Sequence, residues 1–342
     1  MNKGKIGAIL LAVLAAAFYA LSTPASKVLL GYVEPTMMAA FLYLGAGIGI
    51  GVMYLFGKRN DPAPKLSKKD LPYTLGMIVL DIAAPILLMF GLVYTTSANA
   101  SLLNNFEIVA TAVIALCVFK EAISPRLWVA IALITIASIL LSFEDLSSLQ
   151  FSWGSLLVLG AALCWGLENN CTRSISDKNT YEIVMLKGIF SGLGSLIIGL
   201  VIGEKIPSIE FVVVVFVLGF VAYGLSILFY IKAQAKLGAA KTSAYYAIAP
   251  FIGVLLSLAF LQENLAATYF PALAIMALGT VVVVMDTLAS KHVHVHTHTI
   301  THTHDGSTHT HTITHDHGHT HYLNDDKHGH THKLNAKTHE VH

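Results

Sequence analysis

The sequence predicts an all-α integral membrane protein with ten transmembrane helices, arranged as two five-helix repeats of inverted topology and followed by a disordered histidine-rich tail. Three observations support this prediction. The chain of 342 residues is 55% hydrophobic and only 12% charged, whereas soluble chains carry about 25% charged residues. Apolar runs recur before residue 290, each long enough to cross a hydrocarbon core of about 30 Å as a helix. All seventeen histidines lie at or beyond His292.

The apolar runs define the predicted helices and, through them, the domains. The spans are expected at 6–26, 36–56, 73–94, 98–119, 125–142, 153–173, 182–203, 210–231, 241–261 and 266–287. We therefore expect three regions: a first five-helix repeat at 1–146, a second at 147–290, and the histidine-rich tail at 291–342.

The distribution of lysine and arginine predicts the orientation. With ten spans, both termini lie on one side of the membrane, and that side carries Lys3, Lys5, Lys58, Arg59, Lys65, Lys68, Lys69, Lys120, Arg126, Arg173, Lys178, Lys232, Lys236, Lys241 and Lys291. The opposite side has Lys27 and Lys205. The positive-inside rule then places both termini and the tail in the cytoplasm of a cell with the protein in its inner (plasma) membrane.

The two halves resemble each other at three places that occur in the same order. FYALSTPASK at 18–27 aligns with CWGLENNCTR at 164–173, GAGIGIG at 45–51 with GIFSGLG at 188–194, and FKEAI at 119–123 with LQENL at 261–265. The second pair of stretches has glycines four positions apart, and small residues at this spacing let membrane helices approach closely. Because five helices per half is an odd number, the second copy enters the membrane from the other face, and such inverted repeats enclose a site near the midplane.

Two further stretches identify a family resemblance. GLVYTTSANASLLNNFEIVATAVIALCVFKEAIS at 91–124 and KTSAYYAIAPFIGVLLSLAFLQENL at 241–265 resemble EamA-domain exporters of the drug/metabolite transporter superfamily, and the resemblance covers about residues 6–287. It implies a secondary active exporter of small organic metabolites, either amino-acid or drug-like solutes, which works by alternating access. Glu107 precedes Ile108 where the family often has proline, and Leu42 replaces a frequent arginine. These departures leave the charge of the substrate open.

Ionisable groups inside a membrane are costly and usually face a cavity or a partner. Glu107 lies near the centre of the fourth predicted helix, close to Asn104 and Asn105, and Asp81 lies in the middle of the third. A short link joins these helices, so we expect the two carboxyl groups to approach each other. Burial and like charge both disfavour ionisation, which suits proton coupling. The alternative is a protonated carboxyl group that only stabilises helix packing.

The second half supplies the remaining candidate residues. Lys187 and Glu168 are expected to pair, and a structural pair or a snorkelling lysine is favoured over substrate contact. Tyr223, Tyr245 and Tyr246 are placed opposite Glu107, where a tyrosine offers an apolar face with one hydrogen-bonding tip. Their alternative role is packing or anchoring at the membrane interface.

The tail repeats HTHTITH at 296–302 and again at 309–315. Its threonines and glycines give it no means of forming a core, so disorder is expected. Neutral imidazole binds Zn, Ni, Co and Cu, and flexible donors can assemble a site for one of them. The predicted ligands are His296, His298, His302, His304, His309, His311, His315, His317, His319 and His321. No cofactor is required.

Two functions compete at this stage. The first is the metabolite carrier, and the second is a transporter of divalent Zn, Ni or Co whose tail senses or collects the metal. The predicted helical region lacks histidine, which favours the first. An enzyme is not expected, because the chain shows no HExxH motif, P-loop or nucleophile elbow. The expected partners are the lipid bilayer, a small-molecule substrate and metal ions at the tail, without nucleic acid; a homodimer is left open.

Overall fold

The computed structural model describes residues 3–56, 63–120, 123–145, 150–237, 239–263, 265–304 and 307–322. They belong to two units. A helical unit ends at Asp286, and a tail unit begins at Thr287.

Helices account for nearly all of the helical unit. The first half contains α1 Lys3–Ala20, α2 Ser22–Leu29, α3 Pro35–Phe56, a 3-10 turn at Lys68–Asp70, α4 Leu71–Tyr94, α5 Ser97–Leu103, α6 Phe106–Phe119 and α7 Pro125–Leu141. The second half contains α8 Trp153–Ser174, α9 Thr180–Val201, α10 Ile209–Gly219, a π-helix at Phe220–Leu225, α11 Ser226–Leu237, α12 Ala239–Tyr246, α13 Ala249–Leu261 and α14 Tyr269–Leu288. Two short antiparallel strands, β1 Phe143–Asp145 and β2 Gln150–Phe151, join the halves.

The helical unit is that of a multi-pass membrane protein. Within the described ranges, eight helical segments are long and apolar enough to cross a bilayer: Lys5–Leu29, Pro35–Phe56, Lys68–Tyr94, Ser97–Val118, Thr180–Val201, Ile209–Gln234, Thr242–Leu261 and Tyr269–Leu288. The apolar helix α7 has 17 residues and is shorter than these. Helix α8 is long enough but carries polar residues such as Glu168 and Asn170, which are buried inside the bundle.

The apolar segment Lys5–Leu29 divides at Leu21 into α1 and α2, and two further apolar segments are broken near their middle. The segment that contains α5 and α6 is interrupted at Asn104 and Asn105, where the Asn105 side-chain amide donates to the Leu102 carbonyl oxygen at 3.2 Å. Such a local side-chain bond competes with the helical backbone pattern. The segment that contains α12 and α13 is interrupted just before Pro250, which has no N–H to donate and therefore favours a helix start.

Glycines bring the two halves together. A Cβ atom on Gly188 would lie 2.5 Å from the Cα of Gly47, so α3 and α9 approach along the two glycine-rich stretches that the sequence alignment pairs. A Cβ atom on Gly154 would lie 2.8 Å from the carbonyl oxygen of Gly91, so α8 also packs tightly against α4. Both contacts join a helix of the first half to a helix of the second, and α9 and α8 carry Lys187 and Glu168.

Hydrogen bonds between helix ends identify the two ends of the bundle. At one end, the Glu204 carboxylate accepts the backbone N–H of Met37 at 2.8 Å and that of Thr36 at 3.1 Å. At the other, the Glu182 carboxylate accepts the backbone N–H of Leu66 at 3.1 Å. We call the first the far end. The second is the basic end, because the lysine-rich segment before α4 lies there.

The tail unit differs from the expectation of disorder. Two strands, β3 Ala289–His304 and β4 Ser307–Tyr322, form an antiparallel hairpin. The physical reason is the alternation of histidine with threonine, valine and isoleucine, since β-branched residues favour extended backbone. In the register, Thr299 is opposite Thr312 and Thr301 is opposite Thr310. Residues 323–342 of the expected disordered tail lie outside the described residues.

Candidate functional site

A cavity of about 330 Å³ lies at the level of the two helix breaks. This is the lower part of the range of volumes that hold small organic ligands, about 300–1,000 Å³. Side chains of both halves line it: Tyr19, Tyr43, Asn104, Asn105, Glu107, Ile108, Trp165, Glu168, Asn169, Val184, Lys187, Tyr223, Ile227, Tyr246 and Pro250, with Ala46, Gly188, Ala247 and Ala249. Val184 is near the start of α9, so the cavity extends toward the basic end.

One side of the cavity holds a compensated charge cluster, which we call the Lys187 cluster: Tyr43, Asp81, Glu168 and Lys187. The ammonium nitrogen of Lys187 lies 3.1 Å from the Asp81 carboxylate and 3.0 Å from that of Glu168. The Tyr43 hydroxyl donates to Asp81 at 3.1 Å and accepts the indole N–H of Trp165 at 3.3 Å. Asp81 and Glu168 are buried, and the expected Glu168–Lys187 pair is confirmed.

The Glu107 carboxylate has amide and hydroxyl groups around it instead of an ammonium group. It accepts a hydrogen bond from the Asn169 side-chain amide at 2.6 Å, and the same amide donates to the Thr111 hydroxyl at 3.2 Å. Of the described residues, none forms an ion pair with Glu107. Asn104, one turn earlier, is buried, and its carbonyl oxygen has no hydrogen-bond partner among the described residues.

Asp81 and Glu107, which are expected to approach each other, have different partners in the structure. Asp81 is held by Lys187 and Tyr43, whereas Glu107 is held by Asn169. The physical reason is the position of α8, which packs against both α4 and α6. Helix α8 therefore supplies partners on both sides, since Asn169 binds Glu107 and Glu168 shares Lys187 with Asp81.

Tyrosine rings surround the remaining part of the cavity. The ring of Tyr19 meets that of Tyr223 edge-on, with centroids 6.0 Å apart, and that of Tyr246 at 5.9 Å. The ring of Tyr43 lies 5.5 Å from that of Tyr223, whose hydroxyl shares a hydrogen bond of 2.8 Å with Ser22. We refer to Tyr19, Tyr43, Tyr223 and Tyr246 as the tyrosine box.

The structure brings most of the sequence-predicted residues together and adds others. Glu107, Asn104, Asn105, Glu168, Lys187, Tyr223 and Tyr246 all line the cavity. Asp81 lies behind Lys187, and Tyr245 is 36% exposed and is not part of the lining. Sequence reasoning missed Tyr19, Tyr43 and Trp165. The repeat alignment contained a signal for two of them, because it places Tyr19 of FYALS over Trp165 of CWGLE.

Toward the far end the cavity is closed by contacts of α5 with Ser257 of α13 and with Glu263, which follows α13; we call these contacts the clasp. The Glu263 carboxylate accepts the backbone N–H groups of Ser97 at 2.7 Å and Ala98 at 2.9 Å. The hydroxyls of Ser97 and Ser257 are 2.8 Å apart. A second cavity of about 540 Å³ lies at the far end, where Lys27 and Glu263 contribute to its lining. The clasp thus separates two cavities along the bundle.

The predicted metal ligands occupy the tail hairpin, where the structure describes only the backbone. Among the residues whose side chains are described, no group of three or more histidine, cysteine, aspartate or glutamate side chains is arranged to hold a metal ion. Cys117, Cys164 and Cys171 are free thiols.

Comparisons with known proteins identify a family, two relatives and a solved structure of similar fold. The model of the EamA-like transporter family matches residues 6–143 and again residues 152–285. An "Uncharacterized transporter" of Methanothermobacter thermautotrophicus is 24% identical over 72% of this chain and 77% of its own length. "Uncharacterized transporter YyaM" of Bacillus subtilis is 21% identical over 78% of this chain and 88% of its own. A protein crystal structure matches with a TM-score of 0.59 at 16% identity, covering 81% of this chain and 95% of that one.

Proposed function

The chain belongs to the EamA-like transporter family, and from this premise we propose that it is a secondary carrier that exports a small organic solute, amino-acid or drug-like, by alternating access. The cavity between the halves is the observation that carries the proposal, since a carrier must hold its solute where either side can open. Irregular backbone inside a membrane is tolerated where it lines such a cavity, and Asn104 and Pro250 mark two such breaks.

We propose ten spans, which are the eight apolar segments together with α7 and α8. Helix α7 has 17 residues and is about 26 Å long at about 1.5 Å per residue, which is close to the hydrocarbon thickness. Helix α8 tolerates its polar residues because Glu168 and Asn170 are buried in the bundle. Each half then contributes five spans of inverted topology. The positive-inside rule places the basic end, both termini and the tail in the cytoplasm of the inner (plasma) membrane.

The clasp is the gate that we propose for the far end. Glu263 joins the second half to the start of α5, and its release would connect the two cavities. Glu121 is the repeat counterpart of Glu263 in the aligned FKEAI and LQENL stretches and lies outside the described residues. We propose that Glu107 carries the proton in a proton-coupled cycle.

The tail is proposed as an accessory that binds Zn, Ni, Co or Cu. In the hairpin register, His294 is opposite His317, His296 is opposite His315, and His302 is opposite His309. Neutral imidazole binds these ions, so the histidines that the register pairs are the ligands we propose. The second candidate function, a Zn, Ni or Co carrier supplied by this tail, has less support because the first 291 residues lack histidine.

Transport by the full chain and by a version that ends at Ser290 tests these proposals. Both proteins are reconstituted in proteoliposomes with an imposed proton gradient, and fluxes of metals and of an amino-acid and metabolite panel are measured. We expect equal organic-solute flux from both, with metal binding by equilibrium dialysis confined to the full chain. If Zn or Ni is the one substrate moved, and truncation abolishes that flux, the metal carrier is correct instead.

A further inference from the structure

We propose that the central cavity is a binding site for organic ammonium ions, namely protonated primary or secondary amines with a compact apolar or aromatic body. The inference deepens the proposed function and rests on it for transport, whereas binding to the cavity can be tested independently. Three features of the site support it: its charge balance, a buried amide oxygen without a hydrogen-bond partner, and its ring surfaces.

The charge balance disfavours an anionic solute. Asp81 and Glu168 share the ammonium group of Lys187, and Glu107 contributes a third carboxyl group with an amide partner. Among the described residues that line the cavity, Lys187 is the one with a positive charge. Uncompensated charge in a low-dielectric site is costly, so a further carboxylate would increase the cost and an ammonium ion would reduce it.

The hydrogen-bonding groups on the Glu107 side require a donor. The carbonyl oxygen of the Asn104 side chain is buried and has no partner among the described residues. Glu107 follows it by three positions, and its backbone N–H donates to the Asn104 backbone carbonyl at 3.1 Å, so both side chains project from the same break. A protonated primary or secondary amine has two or three N–H groups to donate to them, whereas a carboxylate has none.

The tyrosine box provides the surface for the body of such a ligand. An ammonium group near an aromatic ring face is attracted by the negative potential of that face, and the faces and edges of these rings also bury apolar groups. The tyrosine box and Glu107 line the same cavity, so one ligand can place its charge at Glu107 and its body among the rings.

The helix breaks offer an alternative interpretation, because the starts of α6 and α13 carry partial positive charge that would attract an anion. The backbone amides at these starts are already used. Ile108 donates to the Asn105 carbonyl at 3.0 Å, and Phe251 and Ile252 both donate to the Ile248 carbonyl at 3.1 Å. The C-terminal ends of α5 and α12 also lie at the breaks and carry partial negative charge. They oppose the attraction that the starts of α6 and α13 would exert on an anion.

Calorimetry with probes of matched shape and opposite charge tests the site. The purified full chain in lipid nanodiscs is titrated at pH 7 with 2-phenylethylamine and with 3-phenylpropionate, and the titrations are repeated with Glu107→Gln. The control is Glu210→Gln, which removes an exposed carboxylate in the first turn of α10. A charge-assisted hydrogen bond corresponds to roughly tenfold or more in affinity.

The expected result is amine binding at least about tenfold tighter than carboxylate binding, with that preference lost in Glu107→Gln and retained in Glu210→Gln. The wild-type comparison of the two probes decides the question even if Glu107→Gln fails to fold. The inference is overturned by carboxylate binding as tight as amine binding, by unchanged amine affinity in a folded Glu107→Gln variant, or by no amine binding at millimolar concentration.

Flux in proteoliposomes separates this inference from the proposed function. If the amine binds in the cavity but neither it nor any panel solute crosses the membrane, the site stands and the carrier proposal falls. If a carboxylate or neutral solute is carried and the amine does not bind, the carrier proposal stands and the ammonium site is overturned.

Discussion

The two sides of the central cavity treat buried carboxyl groups differently. In the Lys187 cluster, Asp81 and Glu168 share one ammonium group, and Tyr43 adds a hydroxyl donor. On the other side, Glu107 receives one amide donor from Asn169. Both sets lie in the same bundle and line or adjoin the same cavity, so burial alone does not explain the difference. The first is compensated within the protein, and the second leaves its charge for a proton or a ligand to balance.

The largest loss of stability is expected from Lys187→Gln. Removing the ammonium group leaves Asp81 and Glu168 buried beside each other without a cation, and breaking a buried ion pair in this way costs about 3–5 kcal/mol. We expect a strong loss of folded protein, measured as the yield and the melting temperature in detergent.

A triple variant tests whether the unpaired carboxylates cause this loss of stability. When Asp81→Asn and Glu168→Gln are added to Lys187→Gln, no buried charge remains in the cluster, and most of the lost stability should return. A single Lys187→Gln variant as stable as the wild type would show that the cluster is not required for stability, and a loss of solute flux in that variant would assign Lys187 to substrate contact.

A smaller effect is expected from Tyr43→Phe, which weakens the same cluster without removing a charge. Its hydroxyl donates to Asp81 and accepts from Trp165, so its removal leaves a buried N–H group unpaired at a cost of about 1–2 kcal/mol. Tyr19→Phe is the control, because the Tyr19 hydroxyl has no hydrogen-bond partner among the described residues. Equal melting temperatures for the two variants would contradict the prediction.

Glu263→Gln tests a third kind of carboxylate, whose negative charge is stabilised by two backbone N–H groups instead of by an ammonium group or a side-chain amide. Glutamine keeps one acceptor oxygen and loses the charge, and the site is partly exposed, so we expect a loss of about 1 kcal/mol at the clasp. Hydrogen exchange at residues 97–103 should become faster, while exchange in α8 stays unchanged. Glu210→Gln, which alters an exposed carboxylate in α10, should leave both segments as they are in the wild type.

Much of the helical fold could be predicted because each span is a long apolar run with marked ends. Residues 36–56 were predicted as one span and form α3 Pro35–Phe56, and 73–94 correspond to most of α4 Leu71–Tyr94. The break at Asn104 and Asn105 was not predicted, since hydropathy continues through it. It depends on a side-chain hydrogen bond between neighbours, which a periodicity argument does not detect.

The charged residues of the candidate site could be predicted, and so could the Glu168–Lys187 pair, but the partners of Asp81 and Glu107 could not. Intramembrane charge identified Glu107, Glu168 and Lys187, since such residues are rarely placed in a membrane without a partner. Their partners depend on the lateral order of the helices, and the insertion of α8 beside both α4 and α6 is not encoded in any local pattern. Tyr43 shows the same limit, because its position on an apolar helix is indistinguishable from that of a packing residue.

Glu107→Gln should have the smallest effect on stability. It therefore gives the most direct test of the difference between Glu107 and the carboxylates of the Lys187 cluster. The glutamine carbonyl oxygen can accept the same hydrogen bond from Asn169, and no ion pair is lost, so we expect a change below about 0.5 kcal/mol. Its melting temperature should match the wild type under conditions in which Lys187→Gln is strongly destabilised. Solute flux should lose its dependence on the proton gradient, because the amide cannot release a proton. A Glu107→Gln variant as unstable as Lys187→Gln would show that Glu107, too, is compensated within the protein, and the proton and the ammonium ion would then have to bind elsewhere.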